Sequence, residues 1–389
     1  MRDFCLSRRF ATLTAGMLAL GLIAGCASKG APVYTPAELT NIEATSQLDT
    51  QWRYGMDSGL GRARYPIAPA REDDTLFAAD VEGQVVALDA DDGSRQWEVD
   101  LDVPVSSGLT AVAGQLYLGT RNGEVLALSQ QDGSVTWRSR VSSEILAAPQ
   151  ANQQLLVVQS VDGNVTALDR QSGAERWVYT SSQPALTLRG TATPQVIDPV
   201  TFTGLANGRL VTLDNRSGQP LWDMQIATPQ GRSEIDRLVD VTSQPVLTPD
   251  GRLYVTSYNG RLVALEATRG EVIWEREHSS RHTPILVGDF LFTVNDASHV
   301  LALDAENGRE IWRNESLEGR WLTAPAFADG RLVFGDFEGY LHLLDAREGE
   351  VVGRTRIHKS GISVRPVTEG NIIHVLANNG RLETLEVTP

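Results

Sequence analysis

The stretch Gly83-Gln-Val-Val-Ala-Leu-Asp-Ala-Asp-Asp-Gly-Ser-Arg-Gln-Trp97 decides the fold, because the chain repeats it. Further copies with the same internal spacing begin at Gly123, Gly163, Gly208, Gly260, Ser298, Gly339 and Gly380. A leucine occupies the same place in all eight copies: Leu88, Leu128, Leu168, Leu213, Leu265, Leu303, Leu344 and Leu385. The copies are about 42 residues apart on average, a period typical of repeat architectures.

Each copy has the pattern of paired β-strands. Alternating apolar residues such as Val85 and Ala87 precede an Asp-Gly or Ser-Gly turn, and a second strand then carries the tryptophan. Another strand pair lies upstream of each copy and follows a recurring X-Pro step. Four short strands in each period predict one propeller blade. The sequence therefore predicts an all-β protein, with an eight-bladed β-propeller of four-stranded blades over residues 49–389.

The ring needs one further strand, because the eighth copy contains no tryptophan strand. The segment around Trp52 has the required pattern, and we expect this N-terminal strand to complete the eighth blade and close the ring. The seventh copy has Gly353 at the tryptophan position, and Trp321 is a candidate to fill that gap. The tryptophans expected to pack between blades are Trp52, Trp97, Trp137, Trp177, Trp222, Trp274 and Trp312.

The N-terminus has the pattern of an export signal. Arg2, Arg8 and Arg9 precede 16 uncharged residues, too few for a typical membrane-spanning helix. The run ends in Leu22-Ile-Ala-Gly-Cys26, which resembles a bacterial lipobox, whose cysteine becomes the lipidated N-terminus. Residues 1–25 are thus predicted to be a lipoprotein signal peptide, the alternative being an ordinary secretory signal.

The residues after Cys26 predict where the protein resides. Position 27 is alanine rather than aspartate, and by resemblance to lipoprotein sorting signals this predicts lipid anchoring to the outer membrane, with the body facing the periplasm. Residues 26–48 are polar and include Pro32 and Pro36, which predicts a flexible tether.

Composition and motifs argue against several classes of function. A net charge of −15 disfavours nucleic acid as a partner, since phosphate binding requires a basic surface. Asp89 and Asp304 recur at hairpin starts, where aspartates form turns. His278 and His282 are interpreted as exposed loop residues, not a metal pair. With no nucleophile elbow or phosphate loop, the sequence predicts no enzyme, cofactor or metal.

The motif Ala-Leu-Asp-x-x-x-Gly-x-x-x-Trp resembles the repeat of pyrroloquinoline-quinone-type propellers. Together with the lipobox, it makes the chain similar to the lipoprotein propellers of the outer-membrane β-barrel assembly machinery. That resemblance implies a non-enzymatic periplasmic scaffold that docks on BamA, the barrel-inserting subunit, and supports folding and insertion of outer-membrane proteins. It also suggests unfolded outer-membrane proteins as partners. The alternatives are a quinoprotein-like enzyme, although the mature chain lacks that class's cysteine pair, and a propeller that binds a small ligand.

Two insertions indicate a binding face. At three ordinary connections, the tryptophan of one repeat and the next X-Pro step are 10 to 13 residues apart. The distance is 17 residues from Trp177 to Pro194 and 23 residues from Trp222 to Pro245. Both insertions join neighbouring blades on the same face, and such loops often carry function. The resemblance assigns the docking surface to these loops, although the family's second loop often has an acid where this chain has Thr242. The predicted partner-binding residues are Leu186, Leu188, Arg189, Asp236 and Asp240; the two acids are alternatively interpreted as orienting Arg189 or Arg237.

Overall fold

The computed structural model describes residues 34–389. Within this range the regular secondary structure is entirely β, with 32 strands in eight antiparallel four-stranded sheets that form a ring. The predicted eight-bladed β-propeller is therefore confirmed. The same range contains no helix with the length and apolar character needed to cross a membrane.

Blades are numbered in chain order, each from its inner to its outer strand. Blade 1 is β2 (Ala70–Glu72), β3 (Thr75–Ala79), β4 (Gln84–Asp89) and β5 (Arg95–Asp100); blade 2 is β6 (Thr110–Val112), β7 (Gln115–Gly119), β8 (Glu124–Ser129) and β9 (Val135–Arg140); blade 3 is β10 (Gln150–Ala151), β11 (Leu155–Gln159), β12 (Asn164–Asp169) and β13 (Glu175–Thr180); blade 4 is β14 (Gln195–Val196), β15 (Val200–Gly204), β16 (Arg209–Asp214) and β17 (Pro220–Gln225). Blade 5 is β18 (Val246–Leu247), β19 (Arg252–Thr256), β20 (Arg261–Glu266) and β21 (Glu271–Glu277); blade 6 is β22 (Ile285–Val287), β23 (Phe290–Val294), β24 (Val300–Asp304) and β25 (Glu310–Asn314); blade 7 is β26 (Ala326–Ala328), β27 (Arg331–Gly335), β28 (Tyr340–Asp345) and β29 (Val351–Arg356); blade 8 is β30 (Val367–Glu369), β31 (Ile372–Leu376), β32 (Arg381–Thr388) and β1 (Gln47–Gly55).

The core lies in the second and third strands of each blade, because these strands have neighbours on both edges and blades on both faces. In β3 and β4, for example, Leu76, Phe77, Val85 and Val86 are fully buried. The outer strands are exposed along one edge, and each carries a β-bulge at the residue before the tryptophan position. These eight bulge residues are Gln96, Thr136, Arg176, Leu221, Ile273, Ile311, Val352 and Gln51, in blades 1 to 8.

The tryptophans join each blade to the next. Each of the seven indole N–H groups donates to a main-chain carbonyl of the following blade, over 2.7 to 3.2 Å. The indole also packs against the hairpin glycine of that blade. At Gly173, where φ is +71°, a Cβ atom would lie 2.5 Å from the Trp137 ring. The glycine and the tryptophan of the repeat thus form one inter-blade contact.

The N-terminal strand closes the ring as predicted. β1 pairs with β32 in antiparallel register from Gln47 opposite Thr388 to Gly55 opposite Arg381. Trp52 is buried, and its indole N–H donates to the Ala90 carbonyl of blade 1 over 3.0 Å. Blade 8 is therefore built from both ends of the described chain.

Blade 7 is joined to blade 8 without a tryptophan. A Cβ atom on Gly353 would lie 2.8 Å from the main-chain oxygen of Ser46, so the N-terminal segment occupies the position that an indole fills elsewhere. Our prediction that Trp321 fills this position is wrong, because Trp321 is 65% exposed. Blade 8 has no hairpin glycine to receive an indole here, because β32 meets β1 through hydrogen bonds rather than through a turn.

The prediction that residues 26–48 form a flexible tether does not agree with the structure of residues 34–48. Residues 34–46 lie along blade 7, where Ala37 bonds with Glu318 and Arg320, and the Thr40 carbonyl accepts from Arg354. The segment makes these bonds with its own main-chain groups, so a polar sequence without a strand pattern can still be fixed in place. The propeller also begins at Gln47 rather than at residue 49. Residues 26–33 lie outside the described residues.

Candidate functional site

The two long insertions lie side by side. Residues 181–194 join β13 to β14, and residues 226–245 join β17 to β18. They meet where Gly190 packs against Thr242: a Cβ atom on Gly190 would lie 2.9 Å from Cγ2 of Thr242. Thr242 in turn donates its hydroxyl to the Arg281 carbonyl, in the next connection. We call residues 181–194 and 226–245 together the insertion face.

Asp240 is buried inside the insertion face, with 1% of its surface exposed. Burial raises the pKa of its carboxyl group to about 7, while the main-chain N–H groups of Leu188 and Val241 oppose the rise. One carboxylate oxygen, Oδ2, has no hydrogen-bond partner among residues 34–389. The prediction that Asp240 contacts a partner is thus corrected, because the side chain is buried beside the main chain of Leu188 in the neighbouring insertion.

The apolar part of the insertion face surrounds Leu186. Its exposed side chain lines a shallow depression of about 230 Å³ together with Pro184, Pro229 and Arg237. Leu188 is half-buried. Ile235, in the second insertion, is largely exposed, although no pattern in the sequence marks it as a candidate.

Arg189 extends from the first insertion with its backbone in the left-handed region, at φ +52°. Its Nη2 atom lies 3.0 Å from Oε1 and 3.1 Å from Oε2 of Glu144, and the guanidinium stacks 5.7 Å from the Tyr65 ring centroid. Neither Asp236 nor Asp240 orients it, which corrects that alternative. The Arg189 side chain is still mostly exposed, so it can accept a further ligand.

Asp236 shapes the tip of the second insertion. Its carboxylate accepts from the Ser233 N–H over 3.2 Å, and its own N–H donates to the Ser233 hydroxyl over 3.1 Å. This reciprocal pair fixes the turn that presents Ile235. Asp236 does not bond to Arg237 through its side chain in any contact of the described chain, so the alternative that it orients Arg237 is also corrected.

His278 and His282 are less exposed to solvent than the sequence predicts. His278 is buried and His282 is half-buried, and burial lowers the pKa of His278 to about 4 and that of His282 to about 3. His278 Nε2 bonds with the Thr293 hydroxyl over 2.9 Å, so it has a structural partner. In residues 34–389, no three metal-ligating side chains form a cluster. Cys26, the predicted lipidation site, lies outside the described residues.

Comparison with known proteins identifies the family. A family model described as outer membrane protein assembly factor BamB matches residues 41–118, 81–314 and 296–388. Two relatives carry the same description. The one from Pseudomonas aeruginosa is 48% identical over 370 residues, covering 95% of this chain and 97% of the relative. The one from Escherichia coli is 34% identical over 385 residues, covering 96% and 98%. This chain belongs to the BamB family.

Solved structures agree with membership in the BamB family. The crystal structure of BamB from Moraxella catarrhalis superimposes with a TM-score of 0.80 at 25% identity, covering 87% of this chain and 99% of that one. Quinohemoprotein alcohol dehydrogenase from Comamonas testosteroni gives a TM-score of 0.68 at 14% identity, which shows a shared fold alone. BamB relatives are assembly factors and not enzymes, so the prediction of a non-enzymatic protein is confirmed and the quinoprotein alternative is set aside.

Proposed function

We propose that this BamB-family chain is a lipid-anchored periplasmic scaffold that docks on a BamA-like barrel-inserting subunit through its insertion face. As an outer-membrane protein assembly factor, it works with partners in a membrane-protein assembly complex.

The main support for this proposal is that Leu186, Arg189 and Ile235 are exposed together on two insertions that pack against each other. Leu186 and Ile235 offer apolar area, and Arg189 offers a forked donor for carboxylates or main-chain carbonyls. Interface energy usually concentrates in a few such residues. Glu144 holds Arg189 in place before any partner arrives, which lowers the conformational entropy lost on docking.

The docking proposal can be tested by binding of the full-length protein, in detergent, to the purified periplasmic domains of BamA. Leu186→Ala and Arg189→Ala should each raise the Kd about tenfold, without lowering the melting temperature, because neither side chain belongs to the core. Arg176→Ala is the matched control: this exposed arginine of β13 pairs with Asp169 within blade 3. Unchanged binding by both insertion-face variants would place the docking site elsewhere.

The lipid anchor is a separate part of the proposal. Cys26 follows the predicted signal peptide, and replacing it with serine removes the thiol that the lipid would modify. Cys26→Ser should move the protein from the membrane fraction to the soluble periplasmic fraction, measured in cells that lack BamA so that docking cannot retain it. Membrane retention of that variant would contradict lipid anchoring.

We include unfolded outer-membrane proteins among the proposed partners. A scaffold beside the barrel-inserting subunit is well placed to hold a client strand during insertion, and the outer strands of the blades offer sheet edges for this purpose.

A further inference from the structure

The eight β-bulges of the outer strands differ in chemistry around the ring. The bulge residue is polar in four consecutive blades, where it is Gln51, Gln96, Thr136 or Arg176. It is apolar in the other four, where it is Leu221, Ile273, Ile311 or Val352. The fold is the same at all eight sites, so blade geometry alone does not require the apolar residues.

The polar bulge residues have partners in their own blade. Gln51 donates to Glu386 over 3.0 Å, Thr136 donates to Gln115 over 2.9 Å, and Arg176 pairs with Asp169. The apolar residues of blades 4, 5 and 6 are instead directed to solvent: Leu221 is 57% exposed, Ile273 44% and Ile311 43%. Three large apolar side chains are thus uncovered at equivalent positions in three consecutive blades.

Blade 7 shows how such a bulge is covered. Val352 is only 9% exposed, because the N-terminal segment lies across it. The N–H groups of Thr45 and Ser46 donate to the Val352 carbonyl over 2.9 and 3.1 Å, and Leu48 packs against the same cluster. The covering group is therefore a single length of chain that bonds through its main chain and adds an apolar side chain.

We infer that the apolar bulges of blades 4, 5 and 6, at Leu221, Ile273 and Ile311, are edge sites for extended apolar segments of unfolded outer-membrane proteins. This inference rests on the proposed function and names where the client binds. The sites are separate blade edges, each one strand long, which suits an extended chain better than a folded domain. Strands of outer-membrane barrels alternate apolar and polar residues, so an unfolded one supplies apolar side chains beside main-chain donors.

Site-specific crosslinking tests the location. A photoreactive phenylalanine analogue replaces the exposed residue two positions after the bulge, so that each bulge residue itself is kept: Asp223, Glu275 or Arg313 in blades 4 to 6 of the full-length protein, and Arg53, Glu98 or Arg138 in the controls. The probe is an eight-stranded outer-membrane barrel protein diluted from urea, compared with the same protein already folded. We expect crosslinks from blades 4 to 6 to the unfolded probe only. Equal crosslinking at polar bulges, or crosslinks only to a second copy of this chain, would overturn the inference.

Substitution tests the chemistry. The triple variant Leu221→Gln, Ile273→Gln and Ile311→Gln places at each site a residue that blades 1 and 8 already accommodate. It should bind the unfolded probe about tenfold more weakly at an unchanged melting temperature, because each site loses its apolar contact. The reverse change, Gln96→Ile, should create crosslinking at blade 1 when the photoreactive analogue is at position 98. Unaltered probe binding by the triple variant would overturn the inference.

The two proposals fail in different ways. The triple variant leaves the insertion face intact, so it should bind the periplasmic domains of BamA like the wild type. Normal BamA binding without client crosslinks would reject the edge sites alone. Absence of BamA binding in the wild type itself would reject the proposed docking.

Discussion

The Asp240 carboxyl group links the two halves of the insertion face. Its ordinary pKa is 3.8, and burial raises the pKa to about 7. The folded chain therefore holds this proton more tightly than the unfolded chain does. The resulting contribution to the free energy of unfolding is fully present below the unfolded pKa of 3.8 and is lost as the pH rises through about 7.

Asp240→Asn should remove this pH dependence, because the amide stays uncharged. The variant should melt at a higher temperature than the wild type at pH 8, and the difference should shrink as the pH is lowered toward 4. Thermal melts of both proteins across this range measure the effect. Curves that stay parallel at every pH would show that the Asp240 carboxyl group does not titrate in this window.

Two substitutions of Asp240 distinguish a residue that positions Leu188 from one that contacts the partner directly. Asp240→Asn keeps an oxygen that accepts from the Leu188 N–H, so BamA binding should remain near the wild-type value. Asp240→Ala removes the acceptor and should weaken binding about tenfold, as Leu188 loses its support. Equal loss in both variants would indicate that the partner contacts the carboxylate itself.

Patterns in the sequence identified candidate residues more reliably than they identified the roles of those residues. Insertion length drew attention to Leu186 and Arg189, which the structure exposes. Asp240 was misinterpreted because an acidic loop residue is ordinarily exposed. Glu144 lies in a connection of ordinary length, 45 positions from Arg189, and Tyr65 lies 124 positions away. No local pattern indicates such pairs, because only the stacking of the blades brings their connections together.

Among the structural elements, the tryptophan strands carry the contact between blades. Trp137 is buried against Gly173, and its indole N–H donates to the Arg170 carbonyl over 3.1 Å. Trp137→Ala should lower the free energy of unfolding by about 3–5 kcal/mol, through lost contact and the cavity that remains. Urea denaturation measures this loss.

Trp321→Ala provides the matched control for that experiment. Trp321 is exposed and packs mainly on Phe337, with ring centroids 6.3 Å apart. Its removal should change the free energy of unfolding by no more than about 0.5 kcal/mol. Similar losses in the two variants would contradict a special role for the inter-blade indoles.

The elements were the most predictable part of this molecule. Strand periodicity, hairpin glycines and tryptophans recur with fixed spacing, and each corresponds to a contact that the structure shows. The placement of residues 34–46 was not predicted, since this segment lies outside the repeats and binds blade 7 through main-chain groups such as the N–H of Thr45. Such bonds leave no pattern in side-chain chemistry.

For the whole molecule, the decisive feature is the pairing of β1 with β32. Deleting residues 47–55 should expose the edge of β32 and leave Gly93 without its indole, so the ring should lose stability and self-associate. Light scattering and thermal melts measure both effects. Gln51→Ala is the control, because it alters an exposed side chain of β1 and keeps the main-chain pairing. A deletion variant that stays monomeric at wild-type stability would show that β1 is dispensable.

The pairing of β1 with β32 also determines when blade 8 can form during synthesis of the chain. Thr50 and Glu383, which share a hydrogen bond, are 333 positions apart, and the ribosome makes β1 first. At roughly 5–20 residues per second, β1 waits on the order of tens of seconds for its neighbour. A chain released early has no β32, and so no circle can form from it. Completion of the fold therefore reports that translation has passed β32, and a product interrupted before that strand keeps the open edges that proteases and chaperones recognise.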